Sequence, residues 1–474
     1  MLLKVQESLF IQEKKPLLYK LREALLREFD YASILAVDSS ARRCAVSRRN
    51  MSAGEDEMLS SRGFVARVSG QGRYAEYSFN RLSESALPEI VESVKALAAA
   101  SLLPEGLQEH SYPSVPEEKL TFSGSTEYEI DPEALGDEAI LNHLCSLRDK
   151  GLAMSGELLD FQAMFNYQRY TKLFLSREKE LLQNVMWATG GIVTVAARGE
   201  EVKNSFRGFS LLGGAELLEE MEAGVEACVN TTLDLLRSEP IPPGEYDCIC
   251  APDVTGMIVH EAFGHGVEMD MFVKKRALAE SYIGLYVASP LVTMHDGGAR
   301  QTASYFFDDE GVMAQDTVVI DKGILRRGIS DLQSALTLGT PPSGNGRRQD
   351  YCRKAYTRMT NTWFEGGSDR VEDMIASIEN GFLLENASSG MEDPKNWGIQ
   401  CMVNVAREIK DGRLTGRIFS PVVLTGYVPD LLKSISAMSQ APALSGTGFC
   451  GKGYKEWVNV SDGGPYIKAR IRLG

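Results

Sequence analysis

The sequence predicts an α+β fold in two domains. The first, residues 1–240, is an N-terminal α/β domain with an antiparallel sheet, and the second, 241–474, is a C-terminal β-rich domain carrying one histidine-bearing helix. Three observations support this. The first part mixes amphipathic helical spacing with alternating runs of β-formers joined by turn residues. The stretch Glu239-Pro240-Ile241-Pro242-Pro243-Gly244 then halts regular structure, because each proline fixes φ and removes a backbone donor. Beyond it short β-rich runs dominate, and one apolar helical run at 257–268 stands out among them.

In the first part, Leu17, Leu18, Leu21, Leu25 and Phe29 recur at helical spacing and predict an amphipathic helix over 16–29. Strands are expected at 32–37, 43–47 and 63–79, the last folded into a hairpin at Gly70-Gln71-Gly72. Ser83 is a suitable N-cap for a helix over 83–102. The segment 103–128, rich in Pro, Glu and Ser, predicts a surface connection, and 131–153 returns to helix. β-Formers from 158 to 205 continue the meander, with Gly190-Gly191 as a turn, and apolar residues at Leu217, Met221, Val225, Cys228 and Leu233 predict a long helix over 215–238.

In the second part, 246–251 predicts a buried strand, with Asp253 capping the helix that follows. The paired thiols Cys248 and Cys250 suit core packing. Strands are expected at 291–294, 303–307, 317–320, 324–329 and 356–362, and short helices at 331–338, 371–380 and 429–438. A hairpin joins 399–409 to 415–421, and strands close the chain at 446–451 and 466–473. The acidic run Asp308-Asp309-Glu310-Gly311 reads as a solvated turn rather than a calcium site.

Composition narrows the function. At 474 residues, 43% hydrophobic and 24% charged, the chain is globular and large enough for two or three domains. A net charge of -15 argues against direct nucleic-acid or anionic-lipid binding, which needs clustered Lys and Arg. No signal sequence or membrane span is indicated, and eight scattered cysteines suit reduced thiols, so a cytoplasmic location is expected.

The chain has five histidines, and two of them bracket a glutamate in His260-Glu261-Ala262-Phe263-Gly264-His265. Imidazole is a common ligand for divalent zinc, and a neighbouring carboxylate can take a proton from a water that the metal acidifies. On a regular helix residues five apart project roughly 140° from one another, too far for one metal. Either a π-bulge inserts a residue, or the helix ends at Gly264 and the backbone swings His265 back. Two hydrogen-bonded core histidines are the alternative. A catalytic zinc takes three protein ligands, and Glu268, His295, the run near Asp308 and Cys450 are all candidates for the third.

Taken together, His260-Glu261-Ala262-Phe263-Gly264-His265-Gly266, Asp308-Asp309-Glu310-Gly311, Gly344-Asn345-Gly346-Arg347-Arg348, Met359-Thr360-Asn361 and Phe449-Cys450-Gly451-Lys452 resemble the TldD/PmbA family of metallopeptidases, on the TldD side. The resemblance runs through nearly all of the C-terminal half. It implies one zinc per active subunit, held by His260, His265 and Cys450, with Glu261 as general base. It also implies hydrolysis of short or unfolded peptides in a dimer, either a homodimer or a heterodimer with a PmbA-like subunit that lacks the histidine motif. Arg347 and Arg348, on a Gly- and Pro-punctuated loop, are candidates for holding a peptide carboxylate, with surface charge as the alternative. Tyr454-Lys455-Glu456-Trp457 departs from the family pattern, where Gly-Gln is usual. Two rival readings are a metal-independent hydrolase with Cys450 as nucleophile and a histidine base, and a non-catalytic peptide-binding subunit with a structural metal.

Overall fold

The computed structural model describes residues 2–70, 73–101, 113–454 and 456–474. Alternating apolar residues build a largely antiparallel sheet in the first half. Its central path runs Glu201–Leu211, Lys179–Arg198, Leu158–Leu175, Tyr31–Val46, Ser61–Gly70, Arg73–Phe79. Leu120–Ser125 adds parallel to Lys179–Arg198. One face is covered by helices. Leu9–Glu28 and Leu87–Ala100 bury Leu18, Leu21, Leu25 and Val94 on Ile34, Phe64 and Leu173, while Asp137–Leu152 and Leu217–Leu235 bury Leu144, Met221 and Val225 on Phe161, Phe165 and Ile192. The opposite face presents Leu35, Val37, Val65, Phe174 and Leu181 to Phe307 of the second half, so this sheet is buried on both sides.

The second half holds two large sheets with the histidine helix between them, and a small two-stranded one pairing Gly346–Arg347 with Tyr356–Thr357. In the first, Gly244–Cys250, Asn380–Asp393, Gly398–Lys410, Val422–Tyr427 and Ile467–Leu473 pair in succession, and Ile467–Leu473 returns to pair with Gly244–Cys250, closing a ring. In the second, the order is Ile324–Leu325, Thr317–Asp321, Met294–Asp296, Asn361–Phe364, Glu456–Gly464, Ala443–Lys452. Val254, Ile258, Val259, Ala262 and Phe263 of the helix fill one core with Cys248, Leu384 and Val403 of the ring and with Met294, Val458 and Val460 of the other sheet. Each buried Val, Leu, Ile or Phe there contributes about 1.5–3 kcal/mol of transfer free energy. Among the described residues no helix is long and apolar enough to cross a membrane.

Several local expectations are corrected. The first helix begins at Leu9, capped by Ser8, and runs through Pro16, because its apolar face continues back to Ile11. Ser83 accepts from Ala86 N in a turn, and the helix starts only at Leu87. Gln71, Gly72 and 102–112 lie outside the described residues, so that hairpin tip and most of the connection around His110 do too. Gly190 and Gly191 sit in mid-strand, where a Cβ on Gly190 would overlap Met221 of the covering helix; close packing, not a turn, calls for glycine there. Asp253 follows the cap Ala251 and instead accepts from Ala387 N at 3.0 Å. Residues 303–307 form no strand. The acidic run is buried: Asp308 accepts from Glu310 N, Val312 N and Gly346 N, and Glu310 pairs with Arg67.

Candidate metal centre

The histidine motif lies on a π-helix, Ile258–Gly264, inserted after the short α-helix Pro252–Met257 and followed by a 3₁₀ turn His265–Val267. In a π-helix the backbone bonds five residues on, so residues five apart stand on one face. His260 and His265 accordingly meet, ring centroids 5.1 Å apart and planes 87° to each other. Close packing holds this turn. A Cβ on Gly264 would overlap Met359 Sδ, and one on Gly256 would lie 2.5 Å from Asp462 Oδ1 and 2.7 Å from Gly463 N.

The strand Ala443–Lys452 delivers Cys450 to the two rings, its Sγ 3.5 Å from His265 Nε2. Arg358 anchors that strand by donating to the Cys450 carbonyl. One donor atom from each of His260, His265 and Cys450 lies within 4.8 Å of the others. Two imidazoles and a thiol form a donor set suited to zinc. His260 Nδ1 is buried without a hydrogen-bond partner, an arrangement that costs free energy unless the ring binds something further. The residues present therefore fit a zinc ion.

Electrostatics reinforce the fit. Burial pushes the Cys450 thiol up, but hydrogen bonds and charge from His260 and His265 outweigh it and bring it down to about 4, so the sulfur is a thiolate. Burial lowers the two imidazoles, yet Cys450 raises both, helped at His265 by Glu268. Glu261, beside them, is half-buried; burial raises its carboxyl above the usual range while the histidine charges pull it back. Its methylenes lie over Gly390 of the ring strand Asn380–Asp393. Asp462 is pushed by burial up to about 6, against the pull of His260.

The other candidates lie elsewhere. Glu268 stands behind His265, its Oε2 3.3 Å from Nδ1, and ion-paired to Lys452 at 2.8 Å. His295 bonds Asp316 and Glu365 and stacks on Trp363. Asp308 is enclosed by backbone donors. Arg347 and Arg348 are both buried rather than on the surface. Arg347 donates to Met359 O and Asn459 Oδ1, and Arg348 pairs with Glu76 at 2.6 Å. The sequence offered Lys452, two residues after the cysteine, as a charge favouring the thiolate; its pairing with Glu268 and the place of Gly390 escaped that reading.

Known proteins resemble this chain in sequence and in fold. The profile of the PmbA/TldA metallopeptidase C-terminal domain matches residues 243–471. A metalloprotease of Methanothermobacter thermautotrophicus is 31% identical over 58% of this chain, and the match spans only 61% of that relative's length. A Synechocystis metalloprotease is 28% identical over 86% of the chain and 87% of its own length. A Saccharolobus solfataricus protein named as a zinc metalloprotease TldD homolog is 25% identical over 64% of the chain and 69% of its own length. The crystal structure of TldE from Thermococcus kodakarensis superposes with a TM-score of 0.73 at 17% identity, over 96% of this chain and 99% of that one, and so shares the fold. With its profile and its relatives in agreement, the C-terminal half of the chain, residues 243–471, belongs to the PmbA/TldA metallopeptidase family.

Proposed function

We propose that the protein is a zinc-dependent peptidase of TldD type acting on short or unfolded peptides. The carrying observation is the convergence of His260, His265 and Cys450 on a π-turn that also bears Glu261. The relatives' names as metalloproteases support the same reading. When bound, zinc supplies a Lewis acid that acidifies a water and polarises the scissile carbonyl. Glu261 takes the water's proton on a carboxylate oxygen and delivers it to the leaving amine. The Cys450 thiolate and both imidazoles would hold the ion.

An extended peptide has a place beside the base. The ring strand Asn380–Asp393 pairs with Gly244–Cys250 only as far as Leu384, and among the described residues no strand covers that edge over 387–393, where Gly390 touches Glu261. Main-chain pairing to this edge selects unfolded chains and tolerates many side chains. Arg347 and Arg348 have partners within the chain and take no part in this scheme. A dimer, with an identical chain or a PmbA-like (TldE-type) partner, a domain boundary at 240/241 and a cytoplasmic setting complete the proposal.

The thiolate character of Cys450 favours a second reading, a thiol hydrolase with Cys450 as nucleophile. One set of measurements separates the readings. Purified protein should carry about one zinc per chain and lose peptide cleavage to a chelator, and Glu261→Gln should keep its zinc while kcat falls on the order of 10²–10⁴-fold. Chelator-resistant cleavage with rapid alkylation at Cys450 would establish the thiol route, and a Glu261→Gln enzyme at parental rate would remove the base assignment.

A further inference from the structure

We propose that Lys452 and Glu268 form a latch that fixes His265 and binds the cysteine strand to the histidine turn, shaping the centre before metal arrives. Its consequence for zinc rests on the metallopeptidase reading; its geometry does not. Glu268 Oε2 lies 3.3 Å from His265 Nδ1 and accepts from Lys452 Nζ at 2.8 Å. Lys452 also donates to Asp270 Oδ1 at 2.7 Å and to Thr357 O at 3.0 Å, and its side chain is 13% exposed. Lys452 stands two residues beyond Cys450 on one strand, so the two side chains project to the same side. The contacts close a circuit: His265 to Glu268, Glu268 to Lys452, back along the strand to Cys450, and from Cys450 Sγ to His265 Nε2 at 3.5 Å.

The chemistry follows from which nitrogen is used. A carboxylate on Nδ1 makes that nitrogen a donor and aims Nε2 at Cys450, so that a cation displacing the proton shared between Nε2 and Sγ meets the Nε2 lone pair beside the sulfur. It also holds the ring plane. His260 has no such support, since its Nδ1 is buried and unpartnered. The centre therefore has one imidazole held at Nδ1 by the latch and one whose Nδ1 has no partner. Lys452 and Glu268 are positioning residues, and a single ion pair places both His265 and Cys450 although 185 residues separate them.

The test uses the full chain with Glu268→Ala, Glu268→Gln, Lys452→Met and Lys452→Arg. Two readouts are taken: the His265 Hδ1 resonance in proton NMR of the metal-free protein, and the zinc Kd by chelator competition. Expected are a sheltered Hδ1 signal in the parent that vanishes in Glu268→Ala, and zinc binding weakened about 10–100-fold in Glu268→Ala and Lys452→Met. Lys452→Arg, which keeps the charge, restores most of the affinity. Thermal unfolding of the metal-free variants exposes any that misfold, and Glu268→Gln, nearly the same shape, then gives the decisive comparison. Parental zinc affinity in Glu268→Gln together with an unchanged Hδ1 signal overturns the latch. A parent that takes up no zinc defeats the metallopeptidase reading alone, and the latch is then judged on the Hδ1 signal.

Discussion

At Gly390 a hydrogen stands where any other residue would carry a carbon, and that vacancy is filled by Glu261, the proposed base. A Cβ there would lie 2.5 Å from Glu261 Cγ and 3.2 Å from Cys401 Sγ. Gly390 is not among the residues at positive φ, so alanine meets no backbone penalty and acts only by pushing the glutamate aside. Gly390→Ala should keep zinc and fold while kcat falls on the order of 10²-fold, the cost of about 1 Å of misplacement; zinc analysis and peptide kinetics on one preparation check it. Of the residues in the centre, His260, Glu261 and His265 were legible because few histidines make such a pattern conspicuous. Cys450 stood as one of four candidates for the third donor until the family resemblance singled it out, since spacing carries no information across 185 residues. Gly390 and the latch were invisible, as their meaning lies in contacts that exist only after folding.

Among elements, the π-turn is the one whose distortion was readable, because five-residue spacing on an α-helix sends the two rings apart. Its upkeep is a packing matter. Gly264→Ala would overlap Met359 Sδ and approach Val259 O at 3.2 Å, overpacking that should cost about 1–3 kcal/mol. Trimming the neighbour should return part of that loss, so urea denaturation of Gly264→Ala, Met359→Ala and the double variant should show a non-additive cycle. The ring strand Asn380–Asp393 went unread, and its residues say why. Asn386 has a positive φ of 61°, the register shifts between Ala387 and Ser389, and polar Ser388, Ser389 and Gly390 interrupt alternation, so no period-two pattern survives.

Across the whole molecule the two halves are joined by buried charge. Arg67 pairs with Glu76 at 2.7 Å and with Glu310, and Arg348 pairs with Glu76 at 2.6 Å, so a hairpin of the first half holds two loops of the second. Burial pushes the Glu76 carboxyl up, but the Arg67 and Arg348 charges prevail and hold it well below the usual range. A carboxyl lowered in the folded state lends stability above its unfolded pKa of about 4.3 and loses it as pH falls toward the folded value. Glu76→Gln should therefore cost about 3–5 kcal/mol at pH 7, by leaving Arg348 without a carboxylate and Arg67 with Glu310 alone. The gap from the parent should narrow below pH ~4 by up to about 1.4 kcal/mol per unit, as followed by denaturant midpoints across pH. None of this was written locally: Asp308-Asp309-Glu310 looks like solvent-facing charge until Arg67 and Lys172 are brought to it from far upstream. The closed ring of strands has a temporal consequence as well. The strand that leads into the histidine turn, Gly244–Cys250, pairs along its length with Ile467–Leu473. At ribosomal speeds of about 5–20 residues per second, roughly 10–40 s pass between synthesis of His265 and of Cys450. During that interval the nascent chain has neither Cys450 nor its closing strand, so on the proposed reading no complete centre exists until synthesis is nearly finished.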